Sequence, residues 1–189
     1  MVIKRIIAYF IDILLVTFAA SMLASISYIN PQLENYNKIY EKINENTDIN
    51  QLSEINYDLE RNNVYGSIIF IGVSLAYFVF FQKYNSNQTL GKKIMKIKIS
   101  DKLSLAKYFI RALVLYNIFI NILKVIFILS LSKEHYILVS KGLYIVALLI
   151  ETTTIIMVTM RTDNRGLHDL IVGSKVIEEK KEVDKCITA

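Results

Sequence analysis

Residues 64–81 (VYGSIIFIGVSLAYFVFF) run for 18 positions without a charge. A helix or strand on a soluble core alternates apolar and polar faces, and this stretch does not. A hydrocarbon core of about 30 Å takes roughly 20 apolar residues in a helix rising about 1.5 Å per residue. Three further blocks have the same character but carry charges: residues 6–29 with Asp12, 108–131 with Arg111 and Lys124, and 136–160 with Lys141 and Glu151. Across 189 residues, 53% are hydrophobic and 21% charged, with a mean hydropathy of +0.39. The expected fold is therefore all-α: a polytopic membrane protein, one domain over 1–189, with a bundle of four transmembrane helices. One proline and six glycines favour long, little-broken helices. A cleaved signal peptide is the rival reading of the first block, since Lys4 and Arg5 precede it. Its 24 residues and internal acid suit a retained helix better.

Basic loops stay on the cytoplasmic side. Residues 83–111 hold eight Lys or Arg against the single acid Asp101, the tail from Arg161 holds six, and the N-terminus two. Residues 30–63 hold three against seven acids. Both termini and the basic loop at 83–107 are thus expected inside, and the 30–63 loop outside. The net charge of +5 then reflects a basic inner face beside anionic lipid headgroups, and a nucleic-acid partner is not expected. One cysteine, Cys186, and two histidines, His135 and His168, leave neither an internal disulfide nor a metal site in view, and no cofactor is expected.

In the outer loop, Ile39 and Ile43, then Leu52, Ile55 and Leu59, recur at helical spacing after Pro31, which predicts amphipathic helix on the outer surface or a partner-binding ectodomain. The inner loop alternates Lys and Ile over 96–99, which suits a short strand or an interfacial segment with its lysines at headgroups. Gly91-Lys92-Lys93 lacks the flanking residues of a phosphate loop. Asn87-Gln88-Thr89 fits a glycosylation sequon but falls on the inner side.

An ionised residue at the centre of a spanning helix costs about 2.5–3.5 kcal/mol, so the intramembrane charges need partners. Asp12 lies seven residues beyond Arg5, roughly 10 Å deeper on the same face. Glu151 lies ten residues before Arg161, roughly 15 Å from the inner end. The two carboxylates therefore share a depth, and the long side chain of Arg111 is placed to reach either. That set is either an ion- or proton-binding cluster or a structural ion pair. Ala8, beside Asp12, allows a neighbouring backbone to come close, as do Ala20 and Ala24 further along. Asn117, Asn121 and Lys124 fall within about 60° on one helix face, a polar stripe turned away from Arg111. Lys124 either snorkels outward or extends a polar lining; Lys141 reads as a boundary residue. Tyr144 and Thr154 share the face of Glu151 and are candidate hydrogen-bond partners for it.

Three motifs in order resemble the RDD family of small bacterial membrane proteins. Arg5-Ile-Ile-Ala8-Tyr-Phe-Ile-Asp12 is similar to its opening Arg-x-x-Ala-x-x-x-Asp signature. Gln88-Thr89-Leu90-Gly91-Lys92-Lys93 resembles its Thr-Pro-Gly-Lys-Arg loop, with Leu90 in place of the proline. Arg165-Gly166-Leu167-His168-Asp169 matches its closing Arg-x-Leu-His-Asp pattern. The resemblance implies a bacterial cytoplasmic membrane, Arg5 and Asp12 as a named pair and Asp169 as the second aspartate. It also implies either transport, including cation/proton antiport, or an accessory role beside another membrane protein. The leading expectation is ion or small-solute transport with Asp12 and Glu151 exchanging and Arg5 and Arg111 as counter-charges. The runner-up is a regulatory or immunity-type subunit that docks another membrane protein by its outer or inner loop. No nucleophile beside a base is visible, so an enzyme is not expected. Four helices make a small transporter, so a homo-oligomer is expected, with Gly72 and Ala76 as one contact face.

Overall fold

The apolar blocks form helices, but one of the four is broken. The computed structural model describes residues 1–43, 52–100 and 103–179, and 76% of those described residues are helical. In chain order the elements are α1 (Val2–Ala24), α2 (Leu33–Ile43), α3 (Leu52–Asn62), α4 (Val64–Tyr84), α5 (Leu90–Ile94), β1 (Ile97–Ile99), α6 (Leu105–Leu115), α7 (Ile118–Ser130), α8 (Lys133–Met160), α9 (Leu167–Val172) and β2 (Val176–Glu178). Helices α1, α4 and α8 are long and apolar enough to cross a membrane. The block expected as one span over 108–131 is instead α6 and α7, bent by 74°; counted as one broken span, the pair makes a fourth. Asn117 causes the break, because it sits in the left-handed conformation (φ 50°, ψ 25°) that ends one helix and starts the next. The polar stripe corrects accordingly: Asn117 stands at the bend, off the helix that carries Asn121 and Lys124.

The first helix starts earlier than expected and ends at Ala24, with 26–29 in turns. Helix α4 includes a π-helical segment, Ala76–Phe81, in which the adjacent side chains of Tyr77 and Phe78 both face inward. The central core gathers Val16 of α1, Phe78 and Val79 of α4, Tyr108, Ala112 and Tyr116 around α6, and Ile118 of α7. Tyr116 stacks on both Phe78 and Tyr9. Gly72 has open space where a Cβ would stand, so nothing among the described residues covers α4 at that point.

The loops are more structured than their polarity suggests. Helix α3 packs on the ends of α7 and α8: Lys124 pairs with Glu60 at 3.1 Å, Lys133 with Glu54 at 3.2 Å, and the Tyr136 hydroxyl donates to Glu60. Lys124 thus reaches outward into an ion pair with the outer-loop helix. At the opposite end, β1 pairs antiparallel with β2, Ile97 opposite Glu178 and Ile99 opposite Val176. This two-stranded sheet corrects the all-α expectation. The alternation of Lys and Ile reflects a strand with Ile97 and Ile99 fully buried, and its partner comes from the tail. Asp101, Lys102 and Cys186 lie outside the described residues.

Candidate functional site

Arg5, Arg111 and Asp169 form a buried charge cluster. Arg111 donates through Nε at 3.1 Å and Nη2 at 2.9 Å to Asp169 Oδ1, and Arg5 donates to Asp169 Oδ2 and to the Asn164 carbonyl. The Ser174 hydroxyl (3.1 Å) and the Gly166 N–H (3.3 Å) complete the shell of Asp169, which is 0% exposed. Burial pushes this carboxyl up, but Arg111, His168 and Arg5 outweigh it and hold the group below the ordinary carboxylate range. Helix α9 places Asp169 against α6, and Gly173 closes that helix in the left-handed region (φ 70°). The expected pairing of Arg5 and Arg111 with Asp12 and Glu151 is therefore corrected. The guanidiniums choose the aspartate of the tail, because α9 packs against α6 and α8 and brings Asp169 within reach of both, one on each carboxylate oxygen.

Asp12 has other partners. Its Oδ1 accepts the Tyr77 hydroxyl at 2.7 Å and the Gly91 N–H at 2.8 Å, and its Oδ2 accepts the Thr89 hydroxyl. Thr89 and Gly91 stand at the start of α5, where Thr89 also caps Lys92 N–H, and Tyr77 reaches in from α4. Gly91 is required there: a Cβ would stand 2.3 Å from the Ala8 carbonyl and 2.9 Å from Asp12 Oδ1. Asp12 thus fastens the 88–94 loop to α1, with Ala8 (1% exposed) giving the room. The Thr89 of the sequon is fully buried in this contact.

Lys92 is buried as well, so it does not stand among headgroups. With the Gln82 amide turned to its favourable orientation, Gln82 Oε1 accepts from Lys92 Nζ at 2.8 Å and Gln82 Nε2 donates to the Phe78 carbonyl at 3.2 Å. Burial, then the charge of Arg111, holds this amine well below its ordinary value against the pull of Asp12 and Asp169. His168 is 2% exposed; its Nε2 lies 3.3 Å from Asp169 Oδ2, yet neither ring nitrogen makes a hydrogen bond of normal geometry among the described residues. Burial pushes it down to about 4. Arg165 turns to Asp163 at 3.9 Å and takes no part in the cluster.

Glu151 stands apart. Asn117 Nδ2 donates to its Oε1 at 2.6 Å, its Oε2 has no donor among the described residues, and the side chain is exposed. Tyr144 and Thr154 are not among its hydrogen-bond partners. What joins these groups is space. A cavity of about 370 Å³ between α1, α6 and α8 is lined by Arg5, Asp12, Lys92, Arg111, Glu151 and His168, together with Tyr9, Phe10, Tyr116 and aliphatic residues of all three helices. The four residues expected to cluster therefore share one cavity without sharing ion pairs. Sequence reasoning passed over Tyr77, Thr89 as a donor, and Gln82, none of which carries a charge or breaks a pattern. A second cavity of about 390 Å³ near the far end of α1 has a neutral lining that includes Thr17, Ser21, Asn30, Ser67 and Asn121.

No curated protein and no solved structure matches the chain. The family model described as the RDD family matches residues 1–173, which takes in the Arg5–Asp12 helix, the Thr89–Lys92 loop and the tail through Asp169 and Gly173. The chain belongs to the RDD family of membrane proteins.

Proposed function

We propose that the protein is a multi-pass transporter that exchanges a cation for a proton at Glu151. The observation that carries this reading is the contrast among three carboxylates at one cavity. Asp169 is spent on two guanidiniums and Asp12 on three neutral donors, whereas Glu151 lines the cavity with one oxygen unused. A carboxylate at that depth needs a counterpart, and a proton and a cation are the two it accepts in turn. Asp12, expected to exchange, becomes a positioning residue. Arg5 and Arg111 hold the tail against the bundle and keep the basic end of the cavity closed by Asp169.

In this reading the α6–α7 pair is a broken fourth span, and the basic end with both termini faces the cytoplasm of a bacterial cell. The protein needs no cofactor and performs no covalent chemistry. Anionic lipid headgroups meet the exposed basic residues of the inner face, and self-association uses the Gly72 face of α4. One observation favours the accessory reading: among the described residues α8 buries only Tyr136 and Val158 over its 28 residues, which leaves much of its surface to meet another membrane protein. Proton movement in proteoliposomes on adding a cation gradient separates the two. Exchange that depends on Glu151 supports transport, and absence of flux with one partner recovered in stoichiometric amount supports the accessory role.

A further inference from the structure

The cavity is far larger than an inorganic ion needs. Its roughly 370 Å³ is about twelve times the volume share of one water molecule. Its lining is mostly apolar and aromatic, and the other ion-pairing and carboxylate groups in it already have hydrogen-bond partners: Arg5 and Arg111 share Asp169, Asp12 accepts from Tyr77, Thr89 and Gly91, and Lys92 donates to Gln82. The carboxylate with an oxygen free of donors among the described residues is that of Glu151. The same cavity is lined by the rings of Tyr9, Phe10 and Tyr116; Tyr116 is stacked on both Tyr9 (5.5 Å, 4°) and Phe78, so the open ring faces are those of Tyr9 and Phe10. Ring faces attract cations, most strongly where water is excluded.

The way in is sideways. Helices α1 and α8 bound the cavity but scarcely pack on each other. The residues at its rim, Ile6 (40% exposed), Phe10 (61%) and Ile155 (58%), are apolar and face outward along the length of the helices. A hydrated inorganic ion would have to shed its water against that rim. An apolar molecule with a delocalised positive charge would partition into the bilayer and pass it.

We propose that the cavity between α1, α6 and α8 binds a lipophilic organic cation, entering laterally from the bilayer, with its charge on Glu151 and its apolar body against Tyr9, Phe10 and Tyr116. This names the substrate class of the exchange reading and rests on it for the role of Glu151, but binding is measured separately from flux. The probe is tetraphenylphosphonium, titrated by equilibrium dialysis against the purified full chain in detergent, with empty micelles subtracted. Expected are saturable binding, at least tenfold weaker binding in Glu151→Gln, several-fold weaker binding in Tyr9→Leu, and no displacement by sodium chloride. Neutral triphenylphosphine oxide should bind at least tenfold more weakly to the unaltered chain, a comparison that needs no variant to fold. Equal affinity for the phosphonium and the neutral oxide overturns the proposal, as does undiminished binding in a folded Glu151→Gln. Sodium-driven proton exchange without phosphonium binding likewise overturns it while leaving the exchange reading intact. Phosphonium binding without any flux upholds it and removes the exchange reading.

Discussion

Asp169 shows how one carboxylate ties three segments of this chain together. Arg5 reaches it from α1 and Arg111 from α6, while Asp169 itself starts the short helix of the tail. Removing its charge leaves two guanidiniums buried without a counter-charge, a loss of about 3–5 kcal/mol. Asp169→Asn is therefore expected to lower the melting temperature in detergent sharply, and a melting point unchanged within error would refute the hub. His168 gives a second, independent reading of the same region. Its imidazole is held at about 4, mainly by burial, against 6.5 in an unfolded chain. Between those values the unfolded state binds the extra proton, so stability is full above about pH 6.5 and declines as pH falls toward 4, by up to roughly 3 kcal/mol. Asp169, held below its usual range, stays ionised through that window. The melting temperature should fall across it, and His168→Gln should flatten the fall; an identical slope in the variant counts against a buried neutral histidine. These partnerships were only half legible in the sequence. Spacing along a helix suggests depth, and Asp12, Glu151 and Arg111 do line one cavity, but it does not say which partner the folded tail will bring.

At the scale of elements, the break between α6 and α7 is the feature that hydropathy hid. The apolar run is continuous through 108–131, and a single asparagine in the left-handed region leaves no mark on its periodicity. An alanine there carries a penalty of about 1–2 kcal/mol that glycine escapes. Asn117→Ala should destabilise by that order and Asn117→Gly should regain most of it, as measured by thermal melting; the reverse order would show that the bend is set elsewhere. The amphipathic spacing of the 30–63 loop did mark real helices, α2 and α3, because the apolar face of a short helix repeats whatever it packs on. The β1–β2 pair was visible from one side only. Lys98 and its neighbours alternate as a strand does, whereas Val176–Glu178 is too short and too near the end to announce its partner.

For the whole molecule, two charge layers define the account. The basic end is bound together by the Arg5–Asp169–Arg111 cluster and the strand pair, and the acidic 30–63 loop has its α3 clamped on α7 and α8 by Lys124 and Lys133. The charge asymmetry predicts opposite exposure of the two ends in cells. In a Cys186→Ser background, Tyr28→Cys should react with an impermeant maleimide added outside, and Tyr84→Cys only after permeabilisation; reversed labelling would invert the topology. Between those ends lies the cavity, and the central claim is that its one uncommitted carboxylate does the exchanging. The direct measurement is cation-driven proton flux in proteoliposomes, compared for the unaltered chain, Glu151→Gln and Asp12→Asn, alongside each protein's melting temperature. The expected result is flux abolished in Glu151→Gln with the melting temperature preserved, and in Asp12→Asn a lowered melting temperature with flux reduced only in proportion to the folded fraction. Full flux in a stably folded Glu151→Gln would contradict it.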